Sequence, residues 1–397
     1  MPRGDGGFSG PLSSIAVAGI ALGVVVMLMA VGILRGFQAD ISGKVVGFGS
    51  HLTVSPWGTR ALGEEAPMEV DSALVQRLKA LPEVRHLQAY ASKGGMVKTG
   101  DQIYGIILRG LSANYDTAFF ASCLTDGRLP IFSDKPDKPS NEVLISSTIA
   151  SRLHLHAGDK MRTYFWQGQT YRARAFEVCG IYNTDLTEMD ELYVVGDLQQ
   201  VQRLNEWDSE VAGFEILVRD FDRLDKAAEA VTAVLPYDLA VQTVREANPA
   251  LFSWLDLLEA NITLILTIMC IVSAVAIVSA LLIMIFEKRS TIGTLKALGA
   301  DNRSVRNIFL IKSSKLIVTG IAIGVAVALT LSYIQQRWQV VSLDPESYSM
   351  SHVPVETSAW TYVIISAATF AVCLLALLLP AAYISKISPA QTMKTEQ

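Results

Sequence analysis

Four runs of apolar residues without a formal charge interrupt this chain: Ile15–Leu34, Ile262–Phe286, Leu316–Ile334 and Trp360–Ile384. Each is long enough, at about twenty residues or more, to cross a hydrocarbon core of roughly 30 Å as an α-helix. The first run is too long for the apolar part of a signal peptide. It also ends in Arg35-Gly36-Phe37-Gln38 instead of a small-residue cleavage site, so it reads as a retained span. Between the first and second runs the apolar period shortens. His51–Ser55, Ile103–Leu108, Glu142–Ile145, Phe176–Gly180 and Phe214–Val218 alternate as strands do. Asp71–Leu81, Thr148–Leu153, Leu198–Leu204 and Arg223–Leu235 carry helical spacing, and Ser133–Ser140, with two Pro and two Lys, reads as a loop.

The pattern predicts a multi-pass membrane protein. Four transmembrane α-helices lie at 15–37, 262–286, 308–334 and 360–384, and residues 38–256 form a mixed α+β domain in two lobes. The domain begins and ends in helical continuations of the spans. Ile33, Phe37, Ile41 and Val45 keep a four-residue spacing beyond the first, while Leu251, Trp254, Leu255, Leu258 and Ile262 run into the second. This periodicity suits a stalk and a simple amphipathic anchor equally.

Charge supplies the orientation. Lys288, Arg289, Lys296, Arg303, Arg306, Lys312 and Lys315 cluster around the loop between the second and third spans. The loop between the third and fourth, 335–358, has only Arg337, beside Asp344, Glu346 and Glu356. Lys386 and Lys394 follow the last span. By the rule that cytoplasmic loops are rich in Lys and Arg, the segments 1–14, 287–307 and 385–397 are cytoplasmic, and 38–256 lies outside.

From the last residue of the second span into 287–307, Phe286–Ala300 reads FEKRSTIGTLKALGA. Ile292, Leu295 and Leu298 recur every three residues against Glu287, Lys288, Arg289 and Lys296, and Gly299 is placed to end the helix. A short amphipathic helix tied at both ends to spans is a lever. The expectation is that its apolar residues dock on a driving subunit, the alternative being a helix resting on lipid headgroups.

No span carries an ionisable residue near its centre, which argues against a pump for protons or small ions. Gly19 with Gly23 and Gly320 with Gly324 hold the spacing that lets membrane helices approach closely, though Gly is common in such helices. No phosphate-binding loop and no dinucleotide fingerprint occurs, so ATP, if used, binds elsewhere. His154 and His156 stand without a second ligand cluster and read as solvated loop residues. Cys270 and Cys373 fall within spans as packing residues; Cys123 and Cys179 share the outer domain, and their pairing is left open. Nothing points to nucleic acid.

The order of these parts resembles the MacB-like ABC permeases, and within them the LolC/LolE family of lipoprotein-releasing permeases. The resemblance rests on Gly19–Val24 with Leu34–Gln38, on Val46–Leu52, Leu108–Leu111 and Asn141–Ile145, and on the lever's Glu287–Arg289 and Leu295–Ala300. Leu343–Tyr348 with Val353–Val355, and Ser388-Pro389-Ala390, complete it. It implies a periplasmic outer domain in the bacterial inner membrane. It also implies a second permease subunit, two cytoplasmic ATPase subunits that carry the ATP and Mg, an acylated lipoprotein substrate drawn from membrane lipid, and a periplasmic lipoprotein carrier. No catalytic, cofactor or metal site is implied on this chain. The implied lipid path is an apolar cavity at the outer ends of the first two spans, with Met27, Leu28, Val31, Ile265 and Ile268 as candidates; ordinary packing or lipid-facing surface is the plainer account of each. Two features depart from the family. Met1–Pro11 offers Arg3 among glycines where a basic helix is usual, and the hairpin Tyr164–Phe176, turning at Gln167-Gly168-Gln169, is short for carrier capture. The alternatives are a MacB-like exporter of peptides, toxins or drugs, and an FtsX-like signal relay that transports nothing.

Overall fold

The computed structural model describes residues 9–58, 65–99, 102–133, 138–167, 170–344, 348 and 350–383. The chain divides into two compact units, one of residues 1–39, 253–342 and 352–397, the other of 40–252 and 343–351.

The first unit is helical. Its helices α1 (Ser9–Phe48, continuing into the second unit), α9 (Pro249–Glu287), α11 (Asn302–Trp338) and α12 (Ala359–Tyr383) contain the four apolar runs, apart from Ile384, which lies outside the described residues. The short α10 (Arg289–Ala297) joins α9 to α11. Lipid tails are as apolar as Leu, so burying greasy surface does little to hold such helices together, and close packing has to. The glycines supply it. A Cβ on Gly23 would stand 2.5 Å from Ser273 Oγ of α9, and Gly19 faces Ala276. A Cβ on Gly320 or Gly324 would lie 2.9 Å from Ile20 or 2.8 Å from Val24 of α1. Around these contacts Ile20, Val24, Met27 and Leu28 pack with Ile277, Leu281, Ile317 and Leu377 into one core.

The second unit is a mixed sheet with helices packed on it. In chain order it comprises β1 (Leu52–Pro56), α2 (Ser72–Lys79), β2 (Val84–Thr99), β3 (Gln102–Leu111), α3 (Ala118–Ser122), β4 (Leu124–Gly127), β5 (Glu142–Ser146) and α4 (Ser147–Leu153). There follow β6 (Lys160–Gln167), β7 (Thr170–Tyr182), α5 (Thr187–Leu192), β8 (Tyr193–Asp197), α6 (Leu198–Asn205), β9 (Gly213–Val218), α7 (Leu224–Thr232), β10 (Leu239–Thr243) and α8 (Val244–Ala247). The strand order is β10-β1-β9-β2-β3-β8-β5-β7-β4, with β6 bridging β2 and β7. β3 runs parallel to β8 and β5 parallel to β7; the other pairs are antiparallel. A single ten-stranded sheet runs through the domain, as expected of a mixed α+β unit.

Caps explain several boundaries. Asp71, Ser146 and Asp197 each accept a backbone N–H at a helix start, and Thr243 with Glu246 forms a reciprocal capping box that turns β10 into α8. Phe48, at the end of α1, packs edge-on against Phe120 and Tyr193 in a cluster with Leu111, Tyr115, Leu144 and Tyr182. Cys123 and Cys179 are both free thiols, and Cys179 Sγ donates to Val143 O at 3.2 Å.

Candidate functional site

The segment expected to act as a lever forms the short α10. Its C-terminus closes as a Schellman motif: Ala300 N donates to Leu295 O at 3.0 Å and Gly299 N to Lys296 O at 3.1 Å. Gly299 sits at φ +92°, where a Cβ is strained. The three apolar residues do not share one outward face. Ile292 is 1% exposed and belongs to the helical core beside Val305 and Phe309. Leu295 is half-buried, and Leu298 is 81% exposed. A step of three residues turns a helix by 300°, so residues six apart point about 120° away from each other. Ile292 is thus an anchor, correcting its expected role as a docking residue. The outward surface is Leu298 with Thr291, Thr294 and the exposed Glu287, Lys288 and Arg289.

The expected lipid path needs a second correction. Met27 and Leu28 are each 1% exposed and packed in the core, with Met27 Sδ 3.8 Å from Cys270 Sγ. The glycine contacts on the other turns of α1 hold it against α9 and α11 and keep both side chains in that core. Val31 and Ile265 are half-buried, and Ile268 is exposed. An apolar cleft among the described residues lies between α9 and α12. About 560 Å³ in volume, it is lined by Leu266, Cys270, Ile271, Val275, Val278 and Val372, among others.

A third glycine pair went unread in the sequence. Gly32 and Gly36 of α1 receive the chain that leads into α12. Glu356 N donates to Gly32 O at 2.9 Å, and a Cβ on Gly36 would stand 2.5 Å from Pro354 O. Gln336 Nε2 donates to Val355 O at 2.7 Å, and Gln335 Nε2 to Val353 O at 3.1 Å. Arg35 reaches Thr361 Oγ1 at 2.6 Å. The Gly-x-x-x-Gly spacing was the available signal; its partner is a loop, which helix periodicity cannot reveal. Gly36→Val is expected to push this strap off α1, since backbone atoms cannot rotate away. Exchange at the Glu356 amide, followed by mass spectrometry on the full chain, should accelerate by roughly tenfold to a hundredfold. Unchanged protection would mean that the strap is held elsewhere.

In the sheet unit, Arg109 of β3 and Glu215 of β9 form a buried ion pair. The guanidinium lies 5.2 Å from the Phe48 ring centroid and 5.7 Å from that of Tyr90. Gln88 Nε2 donates to Glu215 at 3.2 Å. Burial holds the Glu215 carboxyl above the usual carboxylate range despite Arg109. The β6–β7 hairpin is longer than expected, pairing from Lys160↔Glu177 to Gln167↔Thr170, because Met161, Thr163 and Phe165 continue the buried alternation backwards. Trp166 and Tyr171 pack edge-on near its end, 4.7 Å between centroids, and both are exposed. The turn residues Gly168 and Gln169, like Pro345–Ser347 and Ser388–Ala390, lie outside the described residues.

Four helices able to cross a membrane, a large mixed domain inserted after the first, and a short helix between the second and third are the architecture of a multi-pass membrane permease. Residues 13–234 match the MacB-like periplasmic core domain and residues 263–389 the FtsX-like permease C-terminal domain, so the chain belongs to the MacB/FtsX-like permeases, of LolC/LolE type. It is 25% identical to the lipoprotein-releasing system transmembrane protein LolC of Xylella fastidiosa, over 98% of this chain and 95% of that one. To the LolC of Neisseria meningitidis it is 22% identical, over 98% and 95%. To the LolE of Haemophilus influenzae it is also 22% identical, over 97% and 94%. Among solved structures, the periplasmic region of MacB from Actinobacillus actinomycetemcomitans matches 52% of this chain and 94% of its own, with 14% identity and a TM-score of 0.36.

Proposed function

We propose that this chain is the permease subunit of an ATP-driven ABC complex that extracts lipoproteins from the outer leaflet of the bacterial inner membrane for delivery toward the outer membrane. Its partners in this reading are cytoplasmic ATPase subunits, which bind the ATP and Mg, and a second permease subunit. Both termini and α10 face the cytoplasm, as the Lys and Arg distribution favours. The observation that carries the reading is the near full-length likeness to LolC and LolE proteins, together with a lever whose inner side is locked into the helical core by Ile292 while Leu298 faces outward.

The physical demand explains the machinery. Each methylene of an acyl chain drawn into water costs about 0.8 kcal/mol, so several chains together do not escape thermally on useful timescales. A periplasmic domain coupled to ATP hydrolysis can perform that extraction. The hairpin carrying Trp166 and Tyr171 is the candidate contact for a lipoprotein carrier, since exposed aromatic pairs make strong anchors.

Reconstitution in vesicles with a candidate ABC ATPase subunit from the same organism and a triacylated lipoprotein tests the reading. ATP-dependent appearance of the lipoprotein in solution, trapped by carrier, is the expected result. Export of soluble peptides or drugs instead would indicate a MacB-like exporter. Stimulated hydrolysis with nothing moved would indicate a signal relay.

A further inference from the structure

The outward side of α11 carries a shallow open groove with one cationic residue, separate from α10 and from the cleft between α9 and α12. Ile311, Ser314, Lys315, Val318, Thr319 and Ala322 line a depression of about 490 Å³. The opposite side of the helix, Ser313, Ile317 and Gly320, is buried in the bundle, so the cleft opens away from it. Lys312 and Lys315 are both exposed and enter no ion pair among the described residues. From Asn302 to Trp338 the helix bears Arg303, Arg306, Lys312, Lys315 and Arg337, and no Asp or Glu.

Depth identifies the ligand class. Lys315 and Arg337 bound a stretch without formal charge, and at 1.5 Å per residue they stand roughly 33 Å apart along the axis. That matches the hydrocarbon thickness of a bilayer. Trp338, 66% exposed, follows Arg337 where an interfacial aromatic belongs. Lys315 therefore stands at headgroup level on the opposite face, with Val318 and Ala322 leading from it toward the bilayer centre. Thr319 donates its hydroxyl to Lys315 O, leaving its methyl to the groove.

We propose that this cleft is a binding site for one anionic phospholipid. Lys315, with Lys312 beside it, holds the headgroup phosphate, Ser314 Oγ donates to a phosphate oxygen, and one acyl chain lies along Val318, Thr319 and Ala322. Net negative charge is favoured because the lining offers the Lys315 ammonium, with Lys312 three residues before it, and no carboxylate to balance a zwitterion's amine.

The test uses the full chain in lipid nanodiscs with equal phosphatidylglycerol and phosphatidylethanolamine, and native mass spectrometry of the retained lipid. The wild type should retain phosphatidylglycerol with roughly fivefold preference per lysine contact. Lys315→Gln should remove about that factor and Lys315→Arg should keep it. Ala322→Phe, which fills the groove and leaves the charge, should lower retained lipid of both kinds. Lys226→Gln, in α7, should change nothing. Equal retention of the two lipids by the wild type, or full preference in Lys315→Gln, overturns the site. Displacement of the lipid by inorganic phosphate would show a free-anion site and also overturn it.

Discussion

Leu298→Asp is expected to abolish recovery of the proposed partner ATPase with this permease while leaving the permease itself folded. Leu298 is 81% exposed at the end of α10, so the substitution disturbs no packing within the chain. In a desolvated interface an unpaired carboxylate costs a few kcal/mol, equivalent to at least a hundredfold in affinity. Ile292→Ala separates docking from anchoring. It removes a side chain that is 1% exposed in the helical core and should loosen α10 by about 2–4 kcal/mol, with the outward face chemically unchanged. The expected pattern is therefore loss of ATPase from Leu298→Asp, and ATPase retained but poorly coupled to release in Ile292→Ala. Co-purification with hydrolysis and release assays on the same preparations checks it; equal ATPase recovery from Leu298→Asp and wild type would remove α10 as the docking element.

Arg109→Met should destabilise the periplasmic domain by about 3–5 kcal/mol, because it strands the Glu215 carboxylate at 3% exposure. The double variant Arg109→Met/Glu215→Gln should recover a large part of that loss, since Gln retains an acceptor for Gln88. A pH dependence follows. Glu215 is already raised by burial, and losing Arg109 removes the main influence that lowers it. A carboxyl with a raised folded pKa binds its proton more tightly when folded. Its stabilising contribution is present at low pH and is lost as pH rises through the raised value. Arg109→Met should therefore lie nearer to wild type in acid than at neutral pH, and the double variant should not show this slope. Urea unfolding followed by limited proteolysis of the domain, within the full chain in detergent, supplies the measurement. A pH-independent deficit would mean that Arg109 acts through packing on Phe48 and Tyr90.

The sequence pattern of the domain matches its elements where one face of an element is buried and departs from them where neighbours supply the reason for a residue. Each expected strand and helix of the domain overlaps an observed one, from Leu52–Pro56 to Leu224–Thr232. The longest strand, Val84–Thr99, was missed: it contains Gly94-Gly95 and an irregularity between Val84 and His86, both of which blur alternation. Gly95 is there because a Cβ would lie 2.6 Å from the Phe165 ring of β6, a strand far along the chain. The hairpin was read short for a related reason, its first strand being registered by β2 and β7 together.

By itself, the sequence determined the four spans, the insertion of a mixed domain after the first, the short helix between the second and third, and the glycine spacing within α1 and α11. These depend on composition over many residues or on period along one element, and both are local quantities. Which side of each element meets another was decided by the tertiary structure. It put Ile292, Met27 and Leu28 into a core, left Leu298 outside, joined the strands in one sheet, and laid Pro354 on Gly36. In a membrane helix that is apolar all round, hydrophobicity does not distinguish lipid from protein as a neighbour. Only the complementary shape of another helix or loop does, and that shape is built from residues distant in the chain.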